Sequence, residues 1–323
     1  MATDIKTRIL IISDTHGRCT LKHDLPKEQV DVAIHCGDLT NVSTVREFRN
    51  ALDLLKQLPA PLKLVILGNH DFSMDGPALQ TIIYNRADDV PLSFWNQVYG
   101  TPEMIQGLFE DHKTDDNIHL LDEGTYVFNL QNGAQLKVYA SQYTPAWGGD
   151  WGFQYHPDKA YNFAIEPNTD IAITHGPPRG ILDMSNRGER AGCPHLFTAV
   201  AKVKPKIHCF GHIHEAGAPD SCTGGLEAAP PIDNAKSRSM TRTKDLRLSA
   251  DDFEEASAEE QVRLQDLVKQ EHAFMSLCKD SATHLVPDQH TLFVNAAIEP
   301  APGEHFPQSP WIVEVDLPSS RDK

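Results

Sequence analysis

Short apolar runs recur along the first two thirds of the chain, at Arg8–Ser13, Val32–Cys36, Lys63–Leu67, Leu136–Ala140, Ile171–Thr174 and Lys206–Phe210. Each is rich in Val and Ile, the composition of a strand buried on both faces. Between some of them the period changes. In Ser43–Leu58, Val45, Phe48, Leu52 and Leu55 recur at spacings of three and four, which predicts a helix, and Pro194–Lys202 reads the same way. Strands alternating with helices predict an α/β architecture. The strand pattern returns at Thr291–Ala296 and Trp311–Val315.

A different composition begins after Gly211-His212-Ile213-His214. Residues 217–249 carry Pro219, Pro230 and Pro231, several Gly and Ser, and the basic residues Lys236, Arg238, Arg242, Lys244 and Arg247, with little periodicity. This predicts an exposed basic loop. The acid-rich stretch Asp251–Lys279 follows, and its Leu264, Leu267, Val268, Met275 and Cys278 can share one helical face. The strands on either side read as parts of one sheet system. The expected organisation is therefore a single domain over 1–323 with an insertion at roughly 217–288, a basic loop followed by an amphipathic helix. No internal repeat is visible.

Size and charge narrow the function classes. A chain of 323 residues with 40 % hydrophobic content can bury a sizeable core. With 29 Lys plus Arg against 45 Asp plus Glu, the net charge is −16, which repels phosphate backbones and argues against nonspecific nucleic-acid binding. The opening MATDIKTRILIISD puts Asp4 where a signal peptide needs positive charge, and its apolar run is too short to span a bilayer. The expectation is a cytoplasmic protein with no membrane partner. Six scattered cysteines without a CxxC pair predict reduced thiols.

Five of the apolar runs lead directly into polar clusters: Asp14-Thr15-His16, Gly37-Asp38, Gly68-Asn69-His70-Asp71, His175-Gly176 and Gly211-His212-Ile213-His214. Loops beyond the carboxyl ends of strands in an α/β sheet converge on one crevice, so these groups are expected to meet. Taken singly, Asp-x-His is commonly a cap or turn and Gly-Asp carries almost no information. All five after five apolar runs make a coincidence of turns a poor explanation. Asp, Asn and His without Cys suit Mn, Fe or Zn better than a thiolate-bound structural zinc. Seven ligands suggest two divalent ions, and a pair sharing one carboxylate and one water suits in-line attack on a phosphate ester. Gly37, Gly68 and Gly211 supply the sharp turns and close backbone approach that such a crevice needs.

These residues resemble the calcineurin-like metallophosphoesterases, whose pattern is D-x-H, GD, GNH[D/E], H and GHxH in that order; every position is present. The likeness covers roughly 8–216 and the strand near Phe293–Ala297. It extends to the metallophosphoesterase-domain-containing branch of animals and fungi through Ile12–His16, Gly37–Thr40, Tyr143–Phe153, Thr174–Pro178, Ala191–Cys193, His212–Glu215 and Val294–Ala296. The resemblance implies a four-layered α/β/β/α sandwich of two mixed sheets with a dimetal site at one edge. It implies Asp14, His16 and His214 on one ion, Asn69, His175 and His212 on the other, and Asp38 bridging. His70 then stands outside the metal shell as general acid or transition-state stabiliser. For Asp71 two roles stay open, an N-cap or orienting hydrogen bond and a direct part in catalysis. Some animal members of the branch have glycine in place of the first His of GHxH, whereas His212 is intact here.

The implied function is hydrolysis of a phosphodiester or phosphomonoester through a metal-bridged hydroxide, with a small phosphoester or nucleotide as substrate. Two alternatives accompany it: a cyclic-nucleotide phosphodiesterase, and a nucleotide-binding regulator with negligible turnover. Gly37-Asp38-Leu39-Thr40-Asn41-Val42 lacks the GDxxDRG of protein phosphatases. Candidate substrate contacts are Tyr143, Trp147 and Trp151, where a base or aryl group can stack, and Arg187, Arg190 and His195, which can reach a phosphate; core packing and solvated loops are the competing readings. His208, inside an apolar strand, and Cys193 and Cys209 read as packing residues. Asn295 reads as structural or as a hydrogen bond to a metal-site loop.

Overall fold

A computed structural model describes residues 4–19, 26–86, 90–214, 272–281, 284, 286, 289–299 and 309–321. The apolar runs become two mixed sheets. The first has six strands in the order β11-β13-β1-β2-β3-β4: β1 is Asp4–Ile12, β2 Val32–His35, β3 Leu62–Val65, β4 Ile118–Leu120, β11 Ala273–Ser276 and β13 Trp311–Pro318. Its strands are parallel except for the β1–β13 pair, which runs antiparallel. The second has five in the order β12-β10-β9-β6-β5, with β5 Gly124–Asn129, β6 Gln135–Ser141, β9 Ile171–Thr174, β10 Ile207–Phe210 and β12 Leu292–Asn295. Only β5 is antiparallel to its neighbour there. The two-residue strands β7 (Thr144–Pro145) and β8 (Gln154–Tyr155) pair separately.

The four layers follow from alternation within the strands. Ile9, Ile11, Ile34 and Leu64 of the first sheet meet Leu136, Val138, Ile173 and Cys209 of the second in the central core. The opposite faces of the first sheet, Leu10, Ile12, Ala33 and Val65, are covered by α1 (Val45–Gln57) and α4 (Pro102–Asp115) through Phe48, Leu52, Leu55, Ile105 and Phe109. On the far side, Tyr139, Ala172 and Phe293 are covered by Leu196 and Val200 of α5 (Pro194–Val203). Apolar strands with two buried faces are what such layering requires. The sandwich is the α/β/β/α arrangement that the family likeness implies. Two more helices, α2 (Gly76–Arg86) and α3 (Leu92–Tyr99), precede α4. No helix among the described residues is long and apolar enough to cross a membrane.

One expectation changes. The sequence pattern puts Met275 and Cys278 with Leu264, Leu267 and Val268 on one helical face, but Ala273–Ser276 is β11, paired in parallel with β13. Period two decides it: Ala273 is buried and Met275 packs on the central core, while Phe274 between them is exposed. The rest of the expected insertion, residues 217–271 with the basic loop and the other helix positions, lies outside the described residues.

Candidate metal centre

The five clusters stand at the carboxyl ends of β1, β2, β3, β9 and β10, three from one sheet and two from the other, so the site spans one edge of the sandwich. Two groups of three ligand atoms gather there, Asp14-His16-His214 and Asp38-His175-His212, each within 4.8 Å of one another; a third such group, His16-Asp38-His70, overlaps both. Asn69 joins the second group, its Oδ1 3.0 Å from His175 Nε2. Asp38 faces both ways, with Oδ1 3.3 Å from His175 Nε2 and Oδ2 4.0 Å from His16 Nε2. His214 Nε2 lies 3.2 Å from Asp14 Oδ1 and 3.4 Å from His16 Nε2.

The backbone is bent to achieve this. Asp14, His16, Asp38 and His212 all have positive φ, 56°, 43°, 53° and 69°, a region that costs a non-glycine residue energy and that accumulates at functional sites. The bends are pinned by hydrogen bonds: Asp14 N–H donates to the Gly37 carbonyl at 3.0 Å and His16 N–H to the Asp38 carbonyl at 3.1 Å. The Asp14 carboxylate accepts the His212 N–H, tying β1 to β10 across the two sheets. The glycines act as expected. A Cβ on Gly37 would lie 2.6 Å from His175 Nδ1, and one on Gly211 would collide with Asp14 and Ser13.

Which imidazole nitrogen is available is fixed by carbonyls, which can only accept. His16 Nδ1–H donates to the Thr40 carbonyl at 3.1 Å and His175 Nδ1–H to the Cys36 carbonyl at 2.9 Å, so each leaves Nε2 for the site. Oriented imidazoles, buried carboxylates and an amide oxygen fit borderline divalent ions. The electrostatics agree. Burial alone would raise Asp38, but His175, His70 and His16 hold its carboxyl well below the usual range. Burial would lower His175, yet Asp38 and Asp14 lift it to about 9. The site is thus an anionic socket that draws a positive charge inward, a proton or a cation.

His70 donates Nδ1–H to the Asn41 carbonyl at 2.6 Å, and its backbone N–H donates to Asp38 Oδ1 at 2.8 Å. Asp71, the next residue, is fully buried. Its carboxylate accepts from the N–H groups of Gly68, Leu39 and Thr40 at 2.8, 3.2 and 2.9 Å. Of the two roles open for Asp71, this is the orienting hydrogen bond. Burial and the Asp38 charge push it up to about 7 against those donors.

The remaining candidates scatter. Trp151 lies against His70, ring centroids 4.2 Å apart. Trp147 is half exposed and donates Nε1–H to the Ala191 carbonyl at 3.2 Å. Tyr143 packs on Phe153 and Tyr161 at 5.9 and 5.4 Å. Arg190 pairs with buried Asp183 at 2.8 Å, Arg187 is exposed on the same loop, and His195 sits in the first turn of α5. Asn295 does bond the site loop, donating to the Ile213 carbonyl between two ligands at 2.9 Å. His208 is buried beside Phe210 and Phe293, a packing position. The sequence reading missed His35, whose Nε2 lies 3.0 Å from the Thr15 hydroxyl and whose Nδ1 accepts the Gly37 N–H at 3.3 Å. A histidine inside the apolar run Val32–Cys36 was its only signal. Thr40 and Asn41, which orient His16 and His70 through their carbonyls, leave no trace in residue type.

A family model described as calcineurin-like phosphoesterase matches residues 7–216. Metallophosphoesterase domain-containing protein 1 of Homo sapiens and that of Mus musculus are each 32 % identical over 216 residues, 65 % of this chain and 61 % of theirs. The chain thus spans about three fifths of the length of these relatives. A protein of Emericella nidulans named probable rhamnogalacturonate lyase C is 32 % identical over 215 residues, 66 % of this chain but only 17 % of that protein. With the matched segment holding all five clusters, the chain belongs to the calcineurin-like phosphoesterase family.

Proposed function

We propose that the protein is a two-metal phosphoesterase that hydrolyses a small phosphodiester or phosphomonoester, a nucleotide among the candidates. The observation that supports it best is Asp38, whose two oxygens turn toward histidines of two separate ligand groups, the arrangement of a bridging carboxylate. Asp14, His16 and His214 would hold one ion and Asn69, His175 and His212 the other, with Mn, Fe and Zn all compatible with the donors. When bound, such ions supply water activation and neutralisation of phosphoryl charge. The chain's own residues do the rest. Backbone carbonyls hold the imidazoles in register, and His70, whose Nδ1–H is committed to Asn41, would act through Nε2: carrying a second proton there, as imidazolium, it donates to the phosphoryl or leaving-group oxygen. Trp147, Arg187, Arg190 and His195 remain our candidate substrate contacts, and the Trp147 hydrogen bond to the Ala191 carbonyl joins the aromatic loop to the 179–193 loop. The five described cysteines are free thiols, consistent with our placing the protein in a reducing, cytoplasmic setting.

The test is metal analysis of the purified protein together with a panel of aryl phosphodiesters, phosphomonoesters and cyclic nucleotides, with and without chelator. Two ions per chain and turnover that chelator abolishes and Mn restores are expected. A preference for cyclic nucleotides would narrow the reading to that phosphodiesterase class, and metal without turnover on the whole panel would favour the binding regulator. Full activity in chelator overturns the proposal.

A further inference from the structure

We propose that Trp151 is a positioning residue for His70: the indole forms one wall of a slot that holds the imidazole with Nε2 toward the reacting atoms. The inference rests on the role given to His70 above. Three contacts define the slot. Nδ1–H is bonded to the Asn41 carbonyl at 2.6 Å, the Trp151 ring lies over the imidazole at 4.2 Å between centroids and 37° between planes, and the His16 ring meets it edge-on at 4.8 Å. A histidine held only by one hydrogen bond can turn about its Cβ–Cγ bond, since that torsion is broad; a half-turn puts Cδ2 where Nδ1 stood and Cε1 where Nε2 stood, which breaks the bond to Asn41 and leaves the tautomer unfixed. The indole face and the His16 edge close that rotation.

The wall is itself built firmly onto the segment it serves. Gly152 N–H donates to the Asn69 carbonyl at 3.0 Å, and Phe153 N–H donates to Asp75 Oδ2 at 2.7 Å. On the other side of Trp151, Asp150 Oδ2 accepts from Asn85 Nδ2 at 2.8 Å. Two glycines permit the approach: a Cβ on Gly152 would lie 2.7 Å from Phe72 Cα, and Gly149, at φ 83°, would place one 2.8 Å from the indole Nε1. The loop is therefore clamped to Asn69 and to the residues that follow His70, so the indole moves with the catalytic turn. Trp151 also packs on the apolar cluster of Phe72, Leu79, Ile82 and Tyr99, but His70 lies nearer to its ring than Phe72 does, 4.2 against 6.3 Å between centroids. The chemistry sets the expected signature. If His70 protonates the leaving group, misplacing it hurts reactions with poor leaving groups and spares those with good ones.

The experiment uses the metal-loaded full chain as parent, Trp151→Phe, Trp151→Leu and His70→Ala, with aryl phosphodiesters graded in phenol acidity. Misplacement of a catalytic group by about 1 Å costs on the order of 10²-fold. Trp151→Leu is expected to lose about that factor in kcat for the least acidic phenol and only a few-fold for 4-nitrophenol. Metal content and KM should hold, and Trp151→Phe should recover most of the loss. An equal loss across the phenols, a change in KM alone or loss of metal overturns the proposal. A second readout needs no turnover: long-range 15N–1H spectra of the Zn-loaded protein should show His70 as the Nδ1–H tautomer in the parent and Trp151→Phe, and as a mixture in Trp151→Leu. An unchanged tautomer in Trp151→Leu sinks the inference even if no phosphoester proves to be a substrate, whereas absent hydrolysis with the expected tautomer shift would fault the functional reading alone.

Discussion

Asp71 and Thr40 are joined twice, because Asp71 Oδ1 lies 2.9 Å from the Thr40 backbone nitrogen and 2.8 Å from its hydroxyl. That hydroxyl also lies 3.0 Å from the His70 carbonyl, so its single hydrogen faces two acceptors. The pair locks the Gly37-Asp38 loop to the Gly68–Asp71 turn underneath the ligands.

Asp71→Ala should therefore act as a structural lesion that is felt at the metals. It leaves three buried N–H groups, those of Gly68, Leu39 and Thr40, without an acceptor, at about 1–3 kcal/mol each where no water can enter. A fall in Tm and roughly 10–100-fold weaker metal binding are expected, as for other groups that orient ligands. Calorimetric titration with Zn checks it. Unchanged affinity would mean that the two loops hold their positions without Asp71.

How far the sequence carried this site depends on what kind of atom does the work. Side chains with ligand chemistry, Asp14, His16, Asp38, Asn69, His175, His212 and His214, follow apolar runs and were legible because strand ends in an α/β sheet converge. The orienting partners of three histidines are the carbonyls of Cys36, Thr40 and Asn41, which every residue type possesses. The fold shows the same division. β1, β2 and β9 are readable from their apolar runs and α1 from its period, whereas β7 and β8 are two residues long and β11 shows its alternation over only four. In the sequence Trp151 reads as a stacking surface for substrate; only the three-dimensional path of a glycine-rich loop shows that His70 lies against it.

The division of labour between His70 and His212 predicts opposite consequences for two alanine substitutions. His70→Ala should retain both ions and lose about 10²–10⁴ in kcat, the usual span for acid–base help. His212→Ala should lose one ion. The measurement is metal stoichiometry beside single-substrate kinetics. Equal metal loss in the two variants would place His70 among the ligands, as its nearness to His16 and Asp38 allows geometrically.

His208 gives the fold an acid sensitivity of its own. Thr174 donates its hydroxyl hydrogen to the Gly176 carbonyl at 2.8 Å, so the 2.9 Å contact to His208 Nε2 must be a bond donated by the imidazole. Burial lowers His208 to about 3, below the unfolded value of about 6.5. The unfolded chain then binds the extra proton between those values, so this contribution is complete above pH ~6.5 and is lost as pH falls toward 3. His208→Gln keeps a donor for Thr174 and removes the titration. Between pH 7 and 5 its stability should fall by about 2 kcal/mol less than the parent's, measured by urea unfolding. Parallel pH profiles would show that His208 stays neutral in both states or is protonated in both.

Two glycines with different surroundings give the sharpest steric test of the site geometry. A Cβ on Gly68 would collide with Asp38 Oδ1 and the Asp38 nitrogen and lie 2.6 Å from His175 Cε1, and none of these can yield without moving a ligand. Gly107 lies within α4, and a Cβ there would meet nothing within 4 Å. Gly68→Ala should thus displace Asp38 from one or both histidines and abolish turnover with reduced metal content. Gly107→Ala should leave metal and kinetics unchanged and raise stability by about 0.5–1 kcal/mol, the gain from removing glycine's freedom in a helix. Thermal melts and metal analysis of the two variants side by side decide it. If Gly68→Ala binds two ions at parent affinity, the close packing of the Gly68 turn on Asp38 does not set the position of the bridging carboxylate.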